Sequence, residues 1–202
     1  MNDHKLTSSC LLAFVLGLAA VSLGCSDAAA PKPVTEADVV MAPKRPDSNQ
    51  EAIAKVLDVP ISKLDGSAFK LEEYKGKVLV VDFWGTFCPP CVKQVPELVK
   101  LNEKYRDRGL ALVGLTADPK ADQKLVEDFI KKFSVNYQIG YDNSWIADAF
   151  LKGTEDASGQ PPIPQLFIFS REGKVVEHFI GEQPGRMQEL ERIVSEQLGV
   201  VR

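Results

Sequence analysis

Val78-Leu79-Val80-Val81-Asp82-Phe83-Trp84-Gly85-Thr86-Phe87-Cys88-Pro89-Pro90-Cys91 carries more information than any other segment of this chain. An apolar run interrupted only by Asp82 gives way to two cysteines two residues apart. Such a run predicts a strand buried on both faces, as in a parallel sheet. From Pro89 to Arg108, Val92, Val95, Leu98, Val99 and Tyr105 recur at helical spacing. They predict a helix that stops at Arg108-Gly109 and is kinked by the internal Pro96. Cys88 and Cys91 therefore fall where a central strand hands over to a helix N-terminus. Unpaired backbone N–H groups and the positive end of the helix dipole favour a thiolate there. A second thiol one turn away can close a disulfide with it, so the pattern predicts a dithiol/disulfide exchange site.

The rest of the composition narrows the field. The chain has 202 residues, of which 45% are hydrophobic and 26% charged, which suits one globular domain with additional segments. A formal charge of -4 without a basic run argues against nucleic acid as a partner. Of the four cysteines, Cys10 and Cys25 lie near the N-terminus, which leaves Cys88 and Cys91 in the body. Two cysteines one turn apart cannot staple a fold. Zinc needs four ligands, and beyond this pair the body offers His178 alone, so no metal is expected.

Residues 1–24 have the look of an export signal: a weakly positive start, Met1 to Lys5, then 13 residues from Leu11 to Leu23 dominated by apolar side chains. That is short against the roughly 20 residues a spanning helix needs. The signal ends in Ser22-Leu23-Gly24-Cys25, which resembles the bacterial lipoprotein box, although Ser22 replaces the usual aliphatic residue. Cleavage before Cys25 would leave that cysteine to be lipidated, and several acyl chains anchor a protein firmly. Residues 25–50, rich in Ala, Pro, Asp, Lys and Ser, read as a flexible tether. The folded domain is expected over 51–202.

Val59–Leu64 and Phe69–Leu71 predict two short strands joined at Asp65-Gly66. Leu110–Thr116 is a second apolar strand. Asp118-Pro119 reads as a helix start, followed by Leu125, Phe129 and Phe133 at every fourth residue. Val135–Tyr141 is extended, Ser144–Leu151 a short helix, and 152–162 a loop. Gln165–Ser170 and Val175–Ile180 form a hairpin about Arg171–Lys174, and an amphipathic helix closes the chain over Gly185–Leu198. This order implies an α/β fold with a mixed sheet and helices on both faces.

Asp82-Phe83-Trp84 followed by Cys88-Pro89-Pro90-Cys91 resembles the thioredoxin superfamily. Trp84-Gly85-Thr86-Phe87-Cys88, with the long insertion between the second and third strands, resembles its exported TlpA/ResA branch, often described as redoxin or AhpC/TSA-type domains. Pro96, Ile163-Pro164 and Gly173 fit the same pattern. The resemblance implies a thioredoxin-like three-layer α/β/α sandwich with a mixed central sheet. It implies that Cys88 is the nucleophile, that Cys91 resolves the mixed disulfide, and that Asp82 accepts the Cys91 proton. Pro164 matches the cis-proline, so Ile163 borders the site. Trp84, Phe87, Pro89, Ile163 and Pro164 are then the expected substrate-binding residues, with a second reading open for Trp84 and Phe87, that they simply cover the sheet edge. Gln94 stands where ResA-like members carry a glutamate, which leaves Asp82 as the ionisable group near the pair.

The resemblance further implies an extracytoplasmic, membrane-anchored protein, a periplasmic lipoprotein held through Cys25. No cofactor is expected. Partners would be client proteins with disulfides, apocytochrome c as an example from the branch, and a membrane thiol reductant. Pro89 and Pro90 carry no N–H, so Cys88 loses two potential donors and a reducing site is expected. Two other readings stay open: a peroxiredoxin-like peroxide reductase, and a redox-inactive binding module on the same fold.

Overall fold

The computed structural model describes residues 47–119, 122–141 and 144–200. The signal, Cys25 and most of the expected tether lie outside the described residues. In chain order the elements are α1 (Asp47–Val56), β1 (Ile61–Ser62), β2 (Ala68–Phe69), β3 (Val78–Trp84), α2 (Pro89–Tyr105), β4 (Leu110–Thr116), α3 (Gln123–Phe133), β5 (Gln138–Gly140), α4 (Ser144–Leu151), β6 (Gln165–Phe169), β7 (Val175–Ile180) and α5 (Arg186–Gln197). Short 3₁₀ turns cover Leu71–Tyr74 and Arg106–Arg108.

Five strands form the central sheet in the order β5-β4-β3-β6-β7. β3 runs parallel to β4, from Val78 opposite Leu110 to Trp84 opposite Thr116. On its other side β3 pairs antiparallel with β6, from Leu79 opposite Phe169 to Phe83 opposite Gln165. Every residue of β3 and β4 is buried, as their apolar sequences require of interior strands covered on both faces. β7 is the edge, half-buried, and returns from β6 through a turn in which Gly173 adopts φ 79°. A side chain would be strained at that φ, which accounts for a glycine there.

Alternation along β3 divides the core. Leu79, Val81 and Phe83 face one side, with Phe167, Phe169, Ile53 of α1 and Ile146 and Phe150 of α4. Phe83, Phe150 and Phe167 pack ring against ring at 4.9–5.8 Å, a separation that adds to the stabilisation from the area they bury. Val78 and Val80 face the other side, with Leu98 and Leu101 of α2 and Leu190 and Val194 of α5. Asp82 and Trp84 share this second face by the period of two. The architecture is thus three layers, helix, sheet and helix.

Four details differ from the expectations. The expected boundary at residue 50 falls inside α1, which starts at Asp47 and buries Ile53 to 1% exposure; its polar first turn disguised the helix as tether. The first strand pair is only two residues long on each side. Asp118 does not cap α3, which is preceded by Asp122; its carboxylate is taken by Thr86 and Thr116. Leu125 is exposed, and the buried stripe of α3 is Val126 and Phe129. A repeat of four alone cannot choose between adjacent faces of a helix.

Gly140, at the end of β5, marks a close approach of the small β1–β2 ribbon to the main sheet. A Cβ there would stand 2.5 Å from Leu115 Cδ2 and 2.6 Å from Ile61 Cγ2. Both neighbours are buried side chains with little room to withdraw. Gly140→Ala is expected to lower the stability by about 1–3 kcal/mol, read as a reduced urea midpoint at unchanged slope.

Candidate active site: a disulfide at the head of a helix

Chain geometry brings Cys88, Cys91, Pro89, Ile163 and Pro164 together. Cys88 precedes the first turn of α2, with Pro89 and Pro90 in the two positions that follow. Proline is well placed there, because the N–H it lacks would have had no partner inside the helix. Cys88 and Cys91 form a disulfide, with Cα atoms 5.3 Å apart. The Cys91 N–H donates to Cys88 Sγ at 3.2 Å, so the sulfur itself caps the helix. Cys88 is 5% exposed and Cys91 0%. Of the pair, Cys88 alone reaches the surface.

Across the site the Ile163–Pro164 peptide bond is cis. The Ile163 carbonyl oxygen lies 3.6 Å from Cys88 Sγ. Gln165, the residue after Pro164 and the first of β6, is fully buried. Its Nε2 donates to Thr154 Oγ1 and the Pro162 carbonyl, and its Oε1 lies 2.7 Å from His178 Nε2. His178 stacks on Phe167 at 4.1 Å, half-buried against the sheet face. The loop 152–162 is tied down at the same place, through Thr154 and Pro162. Gln165 therefore supports the site, a role its sequence gives away only by its position directly after the proline.

Trp84 and Phe87 behave differently from one another. Trp84 is 1% exposed and packs against Phe129 at 4.8 Å, so it offers no surface to a client. Of the two readings of Trp84, client contact and cover for the sheet, its burial fits the second: the last residue of an interior strand is covered by α3. Phe87 is 64% exposed. Its ring lies over Gly85, where a Cβ would meet Phe87 Cε1 at 2.7 Å. Pro89 is exposed, Ile163 half-buried and Pro164 buried.

The loop between β3 and Cys88 hangs on Asp118. Its carboxylate accepts from the Thr86 N–H at 2.9 Å, from Thr86 Oγ1, and from Thr116 Oγ1 at 2.5 Å. Asp118 and Thr116 are buried, so these bonds are made away from water and hold the approach to Cys88 firmly.

Asp82 is fully buried one strand position before Phe83. Its Oδ1 accepts from Nε2 of Gln94, which lies one turn beyond Cys91 on α2, at 3.1 Å. Burial pushes its carboxyl up to about 8, against the opposing pull of the Gln94 hydrogen bond. Among the described residues no group of three His, Cys, Asp or Glu side chains could hold a metal ion. No helix among them is long and apolar enough to cross a membrane.

The Redoxin family model matches residues 45–194, about three quarters of the chain. The chain belongs to the Redoxin family. Within this redoxin domain, 123 residues are 33% identical to thiol-disulfide oxidoreductase ResA of a Bacillus cereus strain, an alignment covering 61% of this chain and 66% of that protein. The match thus spans a little under two thirds of the relative's length. Among solved structures, a thiol:disulfide interchange protein of the thioredoxin family from Chlorobium tepidum TLS superposes with a TM-score of 0.59 and 26% identity, covering 69% of this chain and 92% of that one. Peroxiredoxin Q of Xanthomonas campestris superposes with a TM-score of 0.60 at 20% identity, over 72% and 94% of the two chains, a likeness of fold alone. The redoxin domain is thus similar to ResA and to a thioredoxin-family interchange protein.

The raised Asp82 has a consequence for stability. In the unfolded chain this acid titrates near 3.8, whereas in the fold it keeps its proton to about 8. Its contribution is fully present below the lower value and is lost as pH rises through the higher one. Urea melts of the oxidised protein at pH 5 and pH 9 are expected to show a loss on the order of several kcal/mol. Asp82→Asn should remove most of that loss and be the more stable protein at pH 9. An equal pH dependence in both proteins would contradict a buried, raised Asp82.

Proposed function

We propose that this protein is an extracytoplasmic, membrane-tethered thiol–disulfide oxidoreductase that reduces disulfides in client proteins. The observation that carries the reading is the Cys88–Cys91 disulfide at the head of α2, with Cys88 Sγ facing the Ile163 carbonyl. The names of the ResA relatives support it. In the reduced protein the Cys88 thiolate attacks a client disulfide and forms a mixed disulfide, and the first client sulfur leaves as a thiol. Asp82 takes the proton of Cys91. The Cys91 thiolate then attacks Cys88 Sγ, the second client sulfur leaves, and the pair ends as the disulfide. Two electrons from a membrane thiol reductant restore the dithiol, and no cofactor takes part.

Cys88 suits the first step because it is the surface cysteine, and Cys91 the second because it is sealed. Exposed Phe87 and Pro89 on one side, and Ile163 on the other, frame an extended client segment, whose backbone pairs beside Ile163 as an added strand. Lipidation at Cys25 and the segment after it would hold the domain near a membrane surface, where clients such as apocytochrome c are exported. The peroxide-reducing alternative shares only the fold.

Insulin disulfide reduction by the purified protein, with dithiothreitol as electron source, tests the reading. Cys88→Ala should abolish turnover, and Cys91→Ser should accumulate a mixed disulfide. Peroxide consumption without disulfide reduction would overturn it. The prolines make a separate prediction. The second helical position is a normal donor to a capping side chain, and Pro90 removes it. Pro90→Ala restores that N–H, which should lower the Cys88 pKa by about one unit and raise the reduction potential by about 30 mV, read from iodoacetamide rates against pH and from glutathione redox titration.

A further inference from the structure

On the α2 face of the sheet, Asp82 Oδ2, Trp84 Nε1 and the Tyr137 hydroxyl are buried with no hydrogen-bond partner among the described residues. The three residues are neighbours across β3 and β4. Asp82 sits directly opposite Gly114 in the β3–β4 register. A Cβ on Gly114 would lie 2.8 Å from Ile139 Cδ1, 2.9 Å from Trp84 Nε1 and 3.2 Å from Tyr137 Cε2. The missing side chain at 114 therefore lets the indole N–H and the edge of the tyrosine ring meet beside Asp82. Tyr137 is held in place by its neighbour: Asn102 Nδ2 donates to the Asn136 carbonyl at 2.9 Å, and Asn136 Nδ2 donates to the Val99 carbonyl at 3.2 Å. Burial first, and the neighbouring Asp82 second, raise the Tyr137 hydroxyl well above its ordinary range, so the two groups feel one another.

The chemistry of the three is complementary. An indole N–H only donates, a carboxylate only accepts, and a phenol does both. A buried water needs two to four such polar partners. We propose that Trp84 and Tyr137 are positioning residues that hold, through one shared water molecule, the free oxygen of Asp82 in its ionised form. This rests on the reading of Asp82 as the base for Cys91. The proton passes from the Cys91 thiol to Asp82, the thiolate displaces the client sulfur from Cys88, and the departing client thiolate takes its proton from solvent. Among the described residues the remaining surroundings of Asp82 offer no competing charge. α2 presents neutral Gln94, which donates to Asp82 Oδ1, and β6 presents Leu166 opposite it; the clusters on this face of the sheet are apolar, with Val126 and Phe129 of α3 and Leu190 and Val194 of α5. Lys93, Glu97, Glu182 and Arg186 line an outer groove of about 240 Å³ that Gln94 borders.

The test uses the full chain. In the oxidised native protein, Asp82 is titrated by carboxyl ¹³C NMR, and Trp84 Nε1–H is examined for a cross-peak to water. Tyr137→Phe keeps the ring and removes the hydroxyl. The midpoint of Asp82 is expected to rise by about one pH unit, and the pH profile of mixed-disulfide resolution to move with it. In an Asp82→Asn background, Tyr137→Phe should shift nothing further. An unmoved midpoint, or an indole N–H with no water contact in the native protein, overturns the proposal. A moved midpoint with an unmoved resolution profile leaves the cluster standing and overturns the role of Asp82 as the base.

Discussion

The antiparallel pairing of β3 with β6 is the constraint from which the site follows. Phe83 near the end of β3 stands opposite Gln165 at the start of β6. The chain leaving β3 toward Cys88 and the chain entering β6 from Pro164 must therefore lie at the same end of the sheet. That is how Cys88 and Ile163, 75 residues apart, come within 3.6 Å. The parallel pairing with β4 supplies a third strand end, and Asp118 just beyond it ties down Thr86. Three strand ends and one helix start fix the dithiol, and none of them depends on contacts far from the sheet. Binding sites at strand ends of α/β sheets arise in the same way.

Inside this frame one group is held at a cost. A carboxyl in an interior strand is disfavoured as an anion unless it is paired with a charge or neutralised. Among the described residues the fold gives Asp82 a neutral donor, Gln94, and no cation. It therefore stays protonated through the pH range in which most carboxylates are charged. The result is a group that trades its proton near the pH at which thiols do, the property that its proposed role as proton acceptor for Cys91 requires.

Much of this was legible in the sequence, for identifiable reasons. β3 and β4 were plain because long apolar runs have one outcome in an α/β chain. The dithiol was plain because the spacing of Cys88 and Cys91 is one helical turn, and the hairpin because Gly173 occupies a turn position. α1 was missed, since its polar first turn resembles a tether and its apolar positions, Ile53 and Val56, are few. Asp118 was given to a helix cap because an acid before proline usually is one; only the parallel β3–β4 register reveals that Thr86 reaches it first. For Trp84, client contact and sheet cover were both open because its neighbours in sequence are the reactive residues, whereas α3, distant in sequence, covers it. Gln165, Tyr137 and Gly114 carry no motif at all. Their roles come from cross-strand register, which a single sequence does not display.

Gln94 and Asp82 are best understood as a pair. The strand supplies the acid and the helix supplies an amide whose Nε2 donates to it. A glutamate at 94, as the ResA-like pattern has, would set two carboxyls against one another in a sealed space. One of them would be driven strongly upward, and the two would titrate as a coupled unit. With an amide there, a single acid lies in that space, its proton affinity raised by burial and lowered by the Gln94 hydrogen bond. The departure from the pattern at one position and the acid at the other are thus a single arrangement, an ionisable group on β3 steadied by a neutral one on α2.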